Sequence, residues 1–460
     1  MPDTIAAIAT APAAAAVGIV RLSGAETPRV LAALFTPVNG RSAAELPPRR
    51  MTYGTVRDAE GRTLDHALAV VFSAGHSYTG EESAELHCHG SPVVLQEVLR
   101  AAFAAGARQA RAGEFTERAF LNGKMDLTEA EAVIDLIDAE TAEAARNAAA
   151  QVDGALRRPL EQVYDALLGL TSRFYAVVDY PDEDIEDLTL AETERTLTES
   201  EQTLAALLGT FARGRVLKSG AATAIVGAPN AGKSSLLNAL VGYDRAIVTD
   251  LPGTTRDTVE EKAVVGGVLL RLIDTAGIRE TDDAVERLGV ERSRRAVESA
   301  DLVIVVADGS HTPLTVEPDI LALAARAPHW ILAISKDDRN PAVKTAVWRL
   351  PDGAPAPEHL VSFNSVMPGG LDALIDAIGD CFPAGVPAGG TLLTNARQAE
   401  AIRRALESVR AAHEALTAGL TPDVVLTEAE GALDALGELT GRTAREDMVT
   451  RIFERFCVGK

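Results

Sequence analysis

The sequence predicts a multidomain protein with an α+β N-terminal domain, an all-α helical domain, and an α/β domain of phosphate-loop (P-loop) type inserted into the helical one. Three observations carry this. Short apolar or alternating runs dominate residues 1 to about 120. Ala, Glu, Leu and Asp recur at helical spacing from Thr128 to about Phe211 and again over 392–456, and between these stretches apolar runs alternate with helical segments. At 460 residues the chain is too long for one core, and roughly 100–200 residues per domain suggests two to four.

The N-terminal part, 1–120, reads as strands at Thr4 to Thr10, Val17 to Leu22, Ala67 to Phe72 and Ser83 to His89, with a helix from Pro92 to Ala105. Between the last two strands runs the polar loop Gly75 to Glu82. His87 and His89 share one face of their strand and Cys88 the other, but no second Cys/His pair stands at ligand spacing, so a packed or ligand-contacting role is preferred to a metal site. Three long helices are expected near 128–150, 155–178 and 190–212, with Pro181 ending the second. Residues 216–390 form the inserted domain. Its apolar runs Ala221–Val226, Val268–Ile273, Leu302–Ala307, Trp330–Ser335 and His359–Phe363 predict a doubly wound, mainly parallel sheet with its ligand at the C-terminal strand ends. A Pro/Gly-rich joint, Phe382 to Gly390, closes that domain. The helical domain, 121–215, then resumes over 391–460, which should bring 128–212 and 392–456 together.

Composition bounds the function. Forty-four bases against 66 acids give a net charge of −22, so the bulk field is poorly suited to gripping nucleic acid. Such a role needs a partner or a local patch. Arg100, Arg108, Arg111 and Arg118, or Arg287 to Arg295, are candidates, although a solvated helix face is favoured for both sets. Three widely spaced cysteines, Cys88, Cys381 and Cys457, fit a reducing cytosol better than a disulfide framework. The Ala-rich run Ile5 to Val20 lacks a basic flank and contains Pro12, so neither a signal peptide nor a membrane span is expected, and a cytoplasmic location is.

The motifs point to a nucleotide. Gly227-Ala-Pro-Asn-Ala-Gly-Lys-Ser-Ser235 fits G-x-x-x-x-G-K-[ST] between a strand and a helix. Its glycines let amide N–H groups of Asn230, Ala231, Gly232 and Ser235 face a triphosphate, Lys233 reaches the outer phosphates, and Ser234 can ligate Mg²⁺. Thr254 and Thr255, with Arg256 in the same Gly-Thr-Thr-Arg-Asp run, stand where a switch brings a second hydroxyl to Mg²⁺. Asp274-Thr-Ala-Gly277 ends a strand. Asp274 suits the metal, the Gly277 amide suits sensing the γ-phosphate, and Thr275 and Ala276 lie between them. Ser335-Lys336-Asp-Asp338 resembles [NT]-K-x-D, in which Asp338 accepts guanine N1–H and N2 protons that adenine cannot offer. Ser335 replaces the usual Asn, and Ser362 stands where a further guanine-contacting element is expected. Ile278 follows Gly277 in place of a water-orienting Gln, so another group must do that work.

These motifs, the helical flanks and the ending Phe456-Cys-Val-Gly-Lys460 together resemble the tRNA modification GTPase MnmE (TrmE) family. Val17 to Gly24, Ser77 to Glu82 and Ala112 to Lys124 match its N-terminal part, so the resemblance spans essentially the whole chain. It implies a folate-binding, dimerising N-terminal domain and a G domain that uses K⁺ in place of an arginine finger. Asn230 and backbone groups of Thr249, Leu251 and Thr254 would hold K⁺, and Glu286 would position the attacking water. Arg21, Glu85, Lys124 and Lys460 match folate-binding positions, for 5,10-methylenetetrahydrofolate or its analogue 5-formyltetrahydrofolate. Lys233, Arg256, Glu286 and Cys457 are the candidate catalytic residues, although a lone Cys such as Cys457 is more often packed than nucleophilic. The implied assembly is a homodimer joined by an FAD-dependent partner of the MnmG family in a heterotetramer acting on tRNA, with no membrane. The product is an aminomethyl or carboxymethylaminomethyl group at C5 of wobble uridine 34. The alternative is a regulatory or ribosome-assembly GTPase, which needs neither a folate domain nor a Cys-Gly-Lys tail; Asp338 sets a P-loop ATPase aside.

Overall fold

Side-chain alternation builds the first sheet. The computed structural model describes residues 3–38, 40–179, 189–243, 261–273, 295–310, 316–336, 355–383, 391–443, 449, 452–454 and 456–459. By packing, the chain divides into two units, 1–134, 151–203 and 401–460 in the first, and 135–150 and 204–400 in the second.

In the first unit, β1 (Ile5–Ile8), β2 (Ala15–Ser23), α1 (Thr27–Leu34), β3 (Phe35–Pro37), β4 (Thr52–Arg57), β5 (Thr63–Phe72), β6 (Ser83–Gly90), α2 (Pro92–Ala104) and β7 (Arg108–Gln109) follow one another. The strands form one sheet in the order β3-β4-β5-β6-β2-β1-β7, antiparallel except where β7 joins β1. Leu22, Leu86 and Val56 bury against Val30, Leu31, Leu95 and Val98 of the two helices. β3, β4 and β7 are strands that sequence patterning did not reveal. Gly54 disguises β4 as a turn, yet a Cβ there would lie 2.3 Å from the Phe35 ring, so the glycine makes room for that ring.

Helices α3 (Glu114–Leu121), α4 (Leu127–Ile137), α5 (Ala142–Val152), α6 (Arg157–Asp179), α7 (Leu190–Gly209) and α8 (Phe211–Ser219) come next. The single helix expected at 128–150 is two. The acids Asp138 and Glu140 stand at the C-terminal end of α4, where the helix dipole disfavours them, and the Thr141 hydroxyl accepts the Ala144 N–H at 3.2 Å to start α5 afresh. Reciprocal caps begin α4 and α7. The Glu129 N–H donates to Asp126 and the Asp126 N–H to Glu129, both at 2.8 Å, while Thr189 and Glu192 exchange the same bonds at 3.2 Å.

The second unit carries β8 (Ala221–Val226), α9 (Lys233–Tyr243), β9 (Glu261–Val265), β10 (Val268–Leu272), β11 (Leu302–Asp308), α10 (Pro318–Ala324), β12 (His329–Ser335), β13 (His359–Ser362) and α11 (Asp372–Cys381). The sheet order is β13-β12-β11-β8-β10-β9, parallel throughout except for β9. β10 matches the expected run Val268–Ile273, whereas its antiparallel partner β9 was not expected. Gly266 and Gly267 take φ +59° and +81°, the two positive values a tight two-residue hairpin turn needs. The final helices are α12 (Ala396–Thr417) and α13 (Pro422–Thr440).

The chain after the α/β insert returns to the helices before it. In the first unit the Tyr175 hydroxyl donates to Glu430 at 2.7 Å and Arg410 to Glu201 at 2.8 Å. In the second, Asn147 bonds both the N–H and the carbonyl of Leu392, at 2.8 and 3.1 Å. Among the described residues no helix is long and apolar enough to cross a membrane.

Candidate functional sites

β8 is buried along its length and ends where strand order reverses, between β10 and β11, the point at which α/β sheets open a ligand crevice. Two glycines shape the loop that follows. Gly227 has φ +148° and an added Cβ would lie 2.2 Å from the Val306 carbonyl oxygen; Gly232 has φ +104° and its Cβ would stand 3.2 Å from Ser335 Oγ. Asn230, also left-handed at φ +61°, is of a residue type that tolerates this region. The loop therefore leads directly into α9, whose first N–H groups face outward with Ser234 and Ser235 exposed beside them.

Lys233 curls back into the loop. Its ammonium donates to the carbonyls of Gly227 and Ala228, each at 2.8 Å, and burial lowers its pKa. Phosphate oxygens carry full charge and are stronger acceptors than these carbonyls, so a triphosphate can take the lysine from them. The cradle fits such a group, since its walls are where side chains cannot be.

A second layer supports the loop from β12. Ser335 Oγ lies 2.5 Å from the Ala231 carbonyl oxygen, and Lys336 donates to the Asn230 carbonyl at 2.8 Å and to Asp308 at 2.5 Å. The serine thus reaches the phosphate loop despite being shorter than the usual Asn. Burial alone would raise the pKa of Asp308, but Lys336 and Ser310 hold it down at about 2. Sequence reasoning passed over Asp308; the signal was an acid that ends the apolar run Leu302–Ala307 on the same sheet edge. Ser362 is exposed at the end of β13, in register with Ile334. A cavity of about 540 Å³ in this unit is lined by residues including Arg146, Val264, Gly267 and Phe382, none of them from the phosphate loop.

In the first unit Arg21 and Glu85 are register partners on β2 and β6 and form an ion pair at 3.0 Å. Arg21 also donates to the Gly459 carbonyl at 3.3 Å, and its guanidinium stands 5.7 Å from the Phe115 ring centre and 5.9 Å from that of Tyr78. Neither ring was singled out from sequence. His87 touches the other oxygen of Glu85 at 3.2 Å, while His89 pairs with Asp65, so the two histidines do not converge. Lys124 is not on the Arg21–Glu85 pair; it donates to the Gly75 carbonyl, on the loop that also carries Tyr78.

The C-terminal tail is fixed here by backbone. Val458 bridges to Ala112, the Gly113 N–H faces the Cys457 carbonyl at 3.4 Å, and Gly459 has φ +104° with a would-be Cβ 2.4 Å from the Ile8 carbonyl oxygen. Cys457 itself is exposed, whereas Cys88 is buried and its thiol is pushed up to about 12. The first arginine set is not an open basic patch: Arg100 pairs with Glu97, Arg111 with Glu117, and Arg108 and Arg118 with Asp3 and Glu114. Thr249, Leu251, Thr254, Thr255, Arg256, Asp274, Thr275, Ala276, Gly277, Glu286, Asp338 and Lys460 lie outside the described residues, as do Arg287 to Arg294.

Two family models cover nearly the whole chain. Residues 4–124 match the GTP-binding protein TrmE N-terminus and residues 127–457 the MnmE helical domain. The tRNA modification GTPase MnmE of Roseiflexus sp. (strain RS-1) is 42% identical over 100% of this chain and 99% of its own length. The chain belongs to the MnmE family of tRNA modification GTPases. The MnmE of Synechococcus sp. (strain JA-2-3B'a(2-13)) is 43% identical over the same shares. A crystal structure of Era in complex with MgGDPNP and a piece of 16S ribosomal RNA is 26% identical over 40% of this chain and 65% of its own, with a TM-score of 0.27, too low to bear on the fold.

Proposed function

We propose that this chain hydrolyses GTP to drive modification of tRNA at C5 of wobble uridine 34, as a homodimer working with an FAD-dependent partner of the MnmG family. The observation that carries the reading beyond a simple switch is the Arg21 guanidinium, which holds Glu85 and the Gly459 carbonyl together. A regulatory GTPase has no use for a C-terminal tail bound beside a half-buried ion pair.

At the nucleotide site, Lys233 leaves the Gly227 and Ala228 carbonyls for the outer phosphates, and the loop amides from Asn230 to Ser235 line the rest. Ser234 and Thr255 hold Mg²⁺, with Asp274 to Gly277 sensing the γ-phosphate. Asp338 reads guanine while Ser335 and Lys336 fasten its segment to the loop. Asn230 and the backbone of Thr249, Leu251 and Thr254 would hold K⁺, which would supply positive charge beside the phosphates, and Glu286 would orient the water that attacks, with Arg256 nearby in the chain. GTP and water become GDP and phosphate.

The Arg21–Glu85 pair suits a folate. A carboxylate can accept from a pterin edge and a guanidinium can meet an anion, with Tyr78 and Phe115 offering flat apolar surface. Lys124 and Lys460 supply further cations, and Cys457 an exposed thiol. Bound methylenetetrahydrofolate would supply the one-carbon unit. Three functional domains, 1–120, 121–215 with 391–460, and 216–390, divide this work. The deciding experiment is mass spectrometry of wobble uridines in cells lacking the protein: loss of the C5 aminomethyl-type groups, restored by the wild-type chain, is expected. An unchanged tRNA pool would leave only the regulatory GTPase reading.

A further inference from the structure

Three ligands of different chemistry meet at the sheet edge opposite the phosphate loop. His329 opens β12, Glu358 immediately precedes β13, and Cys381 ends α11. The topology forces this meeting: two parallel strands start at one edge, and the helix after the second strand runs back to that edge. His329 Nδ1 lies 3.0 Å from one Glu358 carboxylate oxygen, Cys381 Sγ lies 3.4 Å from the same oxygen, and the three ligand atoms all fall within 4.8 Å of one another. The Phe382 ring packs edge-on to the imidazole at 4.9 Å and limits its orientations.

We propose that His329, Glu358 and Cys381 form a zinc site that braces β12, β13 and α11, with an open fourth position facing solvent. Tetrahedral Zn²⁺, with Zn–N and Zn–O near 2.0 Å and Zn–S near 2.3 Å, needs ligand edges of about 3.3 Å between nitrogen and oxygen and about 3.5 Å between sulfur and oxygen. The two measured edges already lie close to these values, and the third, from Nδ1 to Sγ, falls within 4.8 Å and closes toward about 3.5 Å as the ion enters. Thiolate, imidazole and carboxylate together suit zinc and exclude hard ions such as Mg²⁺ and Ca²⁺, which take oxygen ligands. The C-terminal end of α11, where Cys381 sits, adds partial negative charge beside the three ligands. On binding, a Zn–S bond forms as the S–H bond breaks and its proton goes to solvent, while the Nδ1 proton that Glu358 accepts is given up to solvent and Nε2 carries the imidazole proton, so that the Nδ1 lone pair can bind the ion. Ser335 ends the strand that His329 opens, roughly 20 Å away, so the ion does not touch the nucleotide.

The test uses the full-length, metal-stripped chain. Equilibrium dialysis against ZnCl₂ should give one tightly held ion per chain, and CoCl₂ should give the near-ultraviolet thiolate-to-cobalt charge-transfer band. Cys457→Ser should keep that band, Cys381→Ser should abolish it, and His329→Gln should weaken zinc binding by at least about tenfold. Should Cys381→Ser fail to fold, alkylation of the wild type settles the question, since Zn²⁺ should shield Cys381 from iodoacetamide while leaving Cys457 reactive. Absence of the cobalt band, its survival in folded Cys381→Ser, or alkylation of Cys381 unaffected by zinc would each overturn the site.

Discussion

Ser335 Oγ approaches the Ala231 carbonyl oxygen to 2.5 Å, tying the end of β12 to the phosphate loop. The bond lets a residue shorter than asparagine keep the guanine-reading segment and the loop in one piece. Ser335→Ala removes it and leaves a buried carbonyl unpartnered, a loss of about 1–2 kcal/mol. GDP and GTP affinity should fall by roughly fivefold to thirtyfold, and because the bond is already made without nucleotide, the melting temperature of the nucleotide-free chain should drop by a few degrees as well. Titration with a fluorescent guanine nucleotide measures it; unaltered affinity would show that this bond does not hold the base-reading segment.

The buried Glu114, between Arg108 and Arg118, predicts an acid limit for the N-terminal sheet. Burial alone would raise its carboxyl, but Arg108, the Arg111 N–H and Arg118 together lower it from 4.5 to about 2. A folded pKa below the unfolded one stabilises above pH 4.5, and that contribution disappears as pH falls from 4.5 toward 2. It amounts to at most about 3 kcal/mol. Glu114→Gln should therefore lower stability at pH 7 and flatten its dependence over that acid window, as chemical denaturation at several pH values can read. A pH profile identical to that of wild type would contradict the assignment.

The tail requires a glycine. An added Cβ at Gly459 meets the Ile8 carbonyl at 2.4 Å in a left-handed backbone, so Gly459→Ala should displace the final residues from Arg21. GTP turnover should stay within about twofold of wild type while wobble-uridine modification drops by an order of magnitude or more. If modification persists in full, the tail has no part in the chemistry.

The proposed cation dependence rests on the missing glutamine after Gly277 and on Asn230, whose exposed position on the loop suits a K⁺ ligand. Replacing K⁺ by Na⁺ at constant ionic strength should slow GTP hydrolysis by about tenfold or more, the cost of withdrawing well-placed charge from the transition state. Equal rates in the two salts would remove the proposal. Asn230→Ala should reproduce the loss in K⁺ without abolishing nucleotide binding.

The sequence by itself determined the α/β insert, the phosphate loop and the starts of α2, α4 and α7, because each rests on local rules. A glycine-rich turn between an apolar run and a helix, or a carboxylate three residues past a capping group, fixes its own backbone whatever lies around it. It also carried the family, whose motifs run from Val17 to Lys460. The tertiary structure decided what depends on partners remote in the chain. β4 hides behind Gly54 until the Phe35 ring fills the space, and Asp308 gains its meaning only when Lys336 arrives from the next strand. Arg21 and Glu85 are 64 residues apart, and Gly459 lies 438 from Arg21. No periodicity records such meetings. They are set by sheet register and by the return of the last helices, since a side chain's protonation and reach are properties of its surroundings rather than of its neighbours in sequence.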